Sequence, residues 1–68
     1  MATLEEVRDV KVTYQHILNR PPWLRGIGIG KDEQGYFIKV NTSEPVVLEP
    51  VFQGVRVKTE VVGDIVAL

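Results

Sequence analysis

The chain has no cysteine, which excludes a disulfide framework, a thiolate nucleophile and thiolate metal ligands together. A small domain without cross-links suits a reducing compartment, and the cytoplasm is the expected location. Its one histidine, His16, excludes a multi-histidine metal centre, so neither a metal nor another cofactor is expected. No stretch approaches the roughly 20 apolar residues that span a bilayer. The start of the chain reads as acidic and helical, without the apolar centre of a signal peptide, and no membrane association is expected. An excess of one charge is lacking too: eight Lys and Arg face nine Asp and Glu, a formal net charge of −1. The broad attraction to phosphate backbones on which non-specific nucleic-acid binding depends is therefore absent, and nucleic acid is a disfavoured partner.

What is present is 68 residues, 44% hydrophobic and 25% charged, the composition of a folded globular chain and the length of one small domain over residues 1–68. Chains of this size bury little surface, so a partner chain that adds burial is expected from the outset. Thr3-Leu4-Glu5-Glu6 is a capping box at the start of a helix. Val7, Val10, Tyr14 and Ile17, with Leu4 and Leu18 beside them, recur at helical spacing, and Pro21-Pro22 ends the helix by about Asn19. The alternation of Val10, Val12 and Tyr14 with Lys11 and Thr13 competes as a strand. The cap and the full-length periodicity favour the helix.

From Trp23 the period changes to two. Arg25-Gly26-Ile27-Gly28-Ile29-Gly30 puts two isoleucines on one face and three glycines on the other. A charged turn from Lys31 to Gly35 leads to a second alternating strand, Tyr36–Val40, and the two form a β-hairpin. Residues 41–54 hold Pro45 and Pro50 and read as a connection with one helical turn around Val46–Glu49. A third strand runs from Val55 to Val61, with Gly63-Asp64 bending the chain before the apolar end Ile65–Leu68, an end expected to be tied into a sheet or covered by another chain. The predicted fold is α+β: two layers, an N-terminal helix on a three-stranded antiparallel sheet, with the third strand beside strand one and strand one central. Its core face presents Ile27, Ile29, Tyr36, Ile38, Val40, Val55, Val57 and Val61.

No motif carries catalytic chemistry. The glycines lie inside a strand and another strand follows, so they match neither a dinucleotide fingerprint nor a phosphate loop. His16, Asp32 and Ser43 assemble a hydrolytic triad only on paper, without an elbow or an oxyanion motif. No catalytic, cofactor-binding or metal-ligating residue is assigned. The candidates for partner binding are Phe37, Lys39, Arg56 and Lys58 on the glycine-bearing face, and Trp23 at the start of strand one. On that face an aromatic and three cations either fold over bare glycine backbone or wall a shallow groove for a partner chain, an acidic peptide or single-stranded nucleic acid. Trp23 either closes one end of the core or, beside Arg20 and Arg25, anchors a partner.

The runs Leu24–Gly30, Phe37–Val40, Leu48-Glu49-Pro50 and Gly54–Val57, with the later Gly63, together resemble a short segment at the start of some bacterial relatives of trypsin-like peptidases, and small bacterial proteins of unassigned function. The resemblance spans residues 24–63 and implies a bacterial, non-catalytic accessory or interaction module. It carries no site residues. Three expectations follow: an interaction module that self-associates or binds another protein through a sheet edge or face, single-stranded nucleic-acid binding through the outer face, and a peptidase-associated regulatory segment.

Overall fold

The computed structural model describes residues 3–63. Helix α1 spans Leu4–Leu18 and is followed by strands β1 (Leu24–Asp32), β2 (Gly35–Thr42), β3 (Val51–Phe52) and β4 (Val55–Val61). The fold is α+β, one helix against a four-stranded mixed sheet of order β1-β2-β4-β3.

The helix begins where the capping box places it. Thr3 Oγ1 accepts from the Glu6 N–H at 3.2 Å and donates to Glu6 Oε1 at 3.3 Å, satisfying a donor of the first turn. It ends at Asn19, whose left-handed backbone (φ 52°) lets its N–H donate to Gln15 O at 3.0 Å. Val7 and Tyr14 are buried, and Val10 and Leu18 pack beside them. Ile17, expected on this stripe, is 61% exposed. At 3.6 residues per turn it lies roughly 80° around the helix from Val7, on the flank of the buried face.

The hairpin is longer than its alternation suggested, with Asp32 paired to Gly35 and only Glu33-Gln34 forming the loop. Asp32 Oδ1 accepts from the Gln34 N–H at 2.9 Å, and Gly35 takes a φ of 111°, so a side chain caps the turn and a glycine closes it.

The third long strand departs from expectation. β4 pairs with β2 and runs parallel to it, Ile38 opposite Val57 and Asn41 opposite Glu60; it does not join β1 in antiparallel fashion. Among the described strands β2 is therefore interior and β1 is an edge. Two causes act together. The link between Thr42 and Val55 has the dozen residues that a parallel crossover needs. β2 also carries the most deeply buried side chains of the sheet, Ile38, Val40 and Thr42, and an interior place protects them on both flanks.

The crossover has no helical turn at Val46–Glu49; instead it ends in the short strand β3, which returns as a hairpin on β4. Gln53 (φ 49°) and Gly54 (φ 79°) form the loop of that hairpin, the paired positive φ values of a type I′ turn. The helix accordingly shares the core face with the crossover, which contributes Leu48 and Phe52. Phe52 sits against Tyr14 with ring centroids 4.7 Å apart and planes tilted by 44°. Ile38, Val40, Val55 and Val57 form the buried centre of the sheet, and Ile27, Ile29 and Tyr36 pack at its margin. Val61 is 52% exposed: from Lys58 onward β4 runs out from under its cover. The expected roles of Asp64 and of the apolar end Ile65–Leu68 lie outside the described residues.

The buried Tyr14 hydroxyl has no hydrogen-bond partner. Burial first, and then the nearby Glu49 carboxylate, hold its pKa far above the usual tyrosine value; Glu49 acts through its charge without meeting the geometry of a bond. An unmet buried hydroxyl costs about 1–3 kcal/mol. Tyr14→Phe, which keeps the ring contact with Phe52, is expected to leave stability unchanged or raise it by about 1 kcal/mol in urea denaturation. A clear loss would mean that the hydroxyl is bonded after all.

Candidate functional site

Strand parity puts Gly26, Gly28 and Gly30 on the face of the sheet away from α1, opposite Asn41, Lys39 and Phe37 of β2. Beyond β2, Arg56, Lys58 and Glu60 of β4 continue the same face. The four face residues proposed from sequence are thus brought together, but in a different order. Arg56 and Lys58 flank β2 rather than β1, because β4 pairs with β2.

The Phe37 ring lies over Gly30, so close that a Cβ at position 30 would collide with its Cζ and come within 2.6 Å of its Cε2. The glycine is there because the ring occupies the space of a side chain. On the other side of the ring, Lys58 Nζ is 4.4 Å and the Arg56 guanidinium carbon 5.5 Å from its centroid, within cation–π range.

Both cations converge on Asp32. Arg56 binds its carboxylate in bidentate fashion, Nη2 to Oδ1 at 2.7 Å and Nη1 to Oδ2 at 2.9 Å. Lys58 Nζ donates to Oδ2 at 2.7 Å. The reach across β2 is open because the residue of β2 paired with Asp32 is Gly35, whose carbonyl accepts from Arg56 Nη2 at 3.0 Å. Hydrogen bonds from Arg56, then from Lys58, hold the Asp32 carboxyl well below the usual carboxylate range. The same bond keeps Arg56 more firmly charged. Register sets Lys39 opposite Lys58, and the like charges part: Lys58 goes to Asp32 and Lys39 to Glu60, at 2.7 Å. All three candidate cations are therefore matched by carboxylates of the same chain. Asp32 was legible in the sequence only as a turn residue; its role as the anchor of Arg56 and Lys58 needs the parallel register.

Trp23 is apart from this face. It is half-buried, packs on the core at the start of β1, and its carbonyl accepts from the Ser43 N–H at 2.8 Å. Near it, a cleft of about 510 Å³ opens between the C-terminal end of α1 and the first half of β1, lined by His16, Arg20, Arg25, Gly26 and Ile27 among others. Arg25 Nη1 donates to Pro22 O at 2.8 Å, which holds its guanidinium at the cleft wall. His16 is exposed at this rim.

With this geometry in hand, comparison with known proteins adds no family: no family model, curated protein or solved structure matches the chain.

Two predictions follow from the outer face. Gly30→Ala must evict Phe37 and is expected to destabilise by about 1–3 kcal/mol, whereas Gly28→Ala, with nothing within 4 Å of the new methyl group, is expected to be neutral or to stabilise by up to about 1 kcal/mol. Paired denaturation curves check the contrast, and equal effects would refute the account of Phe37. For Asp32, the depressed folded pKa means a contribution fully present above the unfolded value, near 4, and lost as pH falls below it. Asp32→Asn is expected to be less stable than the parent at pH 7, with the difference closing toward pH 2. A constant gap across that range would place the effect elsewhere than in the carboxylate.

Proposed function

We propose that this chain is a non-enzymatic interaction module that takes up an extended segment of another polypeptide along β1. The observation that carries this reading is the place of β1 in the sheet: nine residues long, terminal in the strand order, with no described element paired along its outer side. Edge strands present alternate backbone donors and acceptors outward, ready for an added strand. Proteins that do not use such an edge blunt it with bulges, charge, proline or brevity. On the opposite side β3 covers only Val55 and Arg56 of β4, and the remainder of β4 carries the charged Lys58 and Glu60. β1 has a register shift between Leu24 and Gly26 and a lysine at position 31, but the intervening run Gly26–Gly30 has neither bulge, charge nor proline.

Among the described residues no group of three or more His, Cys, Asp or Glu is placed to hold a metal ion, and no helix is long and apolar enough to cross a membrane. A bacterial cytoplasmic accessory role accords with the cysteine-free composition and with the peptidase-associated segment that residues 24–63 resemble; a regulatory segment of that kind would use the same edge. Self-association is the variant in which the added strand comes from a second copy. Single-stranded nucleic-acid binding through Phe37, Lys39, Arg56 and Lys58 has less support, because those cations are already matched by Asp32 and Glu60.

Amide hydrogen exchange tests the open edge directly. Alternate amides across Gly26–Lys31 are expected to exchange fast in the isolated chain while those of β2 and β4 are protected. Uniform protection along β1 would mean that the edge is already covered and would remove the basis of the reading.

A further inference from the structure

We infer that the crossover between β2 and β4 is a recognition loop that enters the substrate groove of an endopeptidase with a small aliphatic specificity pocket, Val47 being the side chain that fills the pocket. The inference does not use the edge of β1. Val47 is 97% exposed, well beyond the next large apolar residue, Ile17 at 61%. Its neighbours Val46 and Leu48 are half-buried, and Leu48 packs on the core. An apolar side chain held outward between two inward neighbours is the alternation of an extended chain.

The segment is restrained as well as extended. Residues 45–49 belong to no helix or strand, and none of residues 43–50 has a positive φ. Pro45 and Pro50 fix their own φ and keep Glu44 and Glu49 out of the helical region. Both ends are anchored: the Ser43 N–H donates to Trp23 O at 2.8 Å, and Pro50 O accepts from the Val57 N–H at 2.9 Å. Between the anchors Leu48 is seated on the core, and the Glu49 carboxylate lies near the Tyr14 hydroxyl. Among the described residues no backbone group bonds the N–H or C=O of Val46, Val47 or Leu48, so these donors and acceptors are left for a partner.

A partner for this surface has to be concave, because Val47 protrudes, and has to pair with extended backbone while taking one side chain into a pocket. The substrate groove of a serine endopeptidase combines these features: main-chain hydrogen bonds hold an extended segment, and the shape and charge of a single pocket select one side chain. Valine suits a small, uncharged pocket, whereas a pocket with a buried acid selects lysine or arginine and a deep apolar slot selects aromatic side chains. A loop already held in its bound conformation loses little freedom on docking, which favours affinity. Here the two prolines and the seat of Leu48 supply that restraint.

The test is competition by the full chain against the hydrolysis of chromogenic peptides by elastase, trypsin and chymotrypsin. The chain is expected to inhibit elastase at least about 10-fold more strongly than the other two enzymes. Val47→Asp is expected to weaken that inhibition at least about 10-fold, and Val47→Lys to transfer it to trypsin, which reads lysine through a buried aspartate. Both variants are expected to melt as the parent does, since the side chain at position 47 is almost wholly exposed. Equal inhibition of the three enzymes, or inhibition that ignores both substitutions, would place the contact elsewhere and overturn the inference. Absence of inhibition of any of them would do the same. Rapid cleavage at Val47–Leu48 with recovery of the enzyme, followed by mass spectrometry, would make the loop an ordinary substrate and also overturn it. None of these outcomes bears on β1, whose edge is tested separately by amide exchange.

Discussion

The parallel pairing of β2 with β4 is the constraint on which the remaining architecture depends. A parallel neighbour requires the chain to return to the starting end of the sheet before it can pair. The dozen residues that make this return leave no room for an independent layer, so they lie on the core face and share it with α1. Phe52 against Tyr14 is the seam between those two covers. Ile38 and Val40 become interior to the sheet in both senses, flanked by strands and roofed by helix and crossover. Most of the burial available to so short a chain is concentrated there.

The same pairing decides the chemistry of the opposite face. By setting Arg56 beside Phe37 and Lys58 beside Lys39, it brings two cations within reach of Asp32 across the one β2 position that has no side chain. The result is a closed surface, with Phe37 roofing Gly30 and each cation held by a carboxylate. An aromatic ringed by cations reads in a linear sequence as a binding platform. Here charge pairing within the chain uses the same residues. Exposed ion pairs of this kind contribute little to stability, and their larger effect is to remove free positive charge from the face.

Displacing β1 to the margin has the converse effect. Among the described residues it has a paired strand on one side only. Arg20 and Arg25 line the cleft beside its start, and Lys31 is exposed near its end.

Local patterns were legible wherever the physics is local. The helix begins at Leu4 because the Thr3 hydroxyl, three residues before a glutamate, caps it, and it stops before Pro21-Pro22 because proline forbids its continuation. Strand β4 runs from Val55 to Val61 as its alternation indicates, and Phe37 over Gly30 follows from hairpin register once the turn is located. What the sequence alone did not determine is the neighbour of β4. Alternating Val55, Val57 and Val61 suit an antiparallel place beside β1 as well as a parallel place beside β2, because period-two patterning specifies which face is buried and not which strand lies alongside. Only the tertiary structure made that choice, through the burial gained by enclosing β2 and the length of the crossover. The edge position of β1 among the described strands and the pairing of Asp32 with Arg56 and Lys58 depend on it.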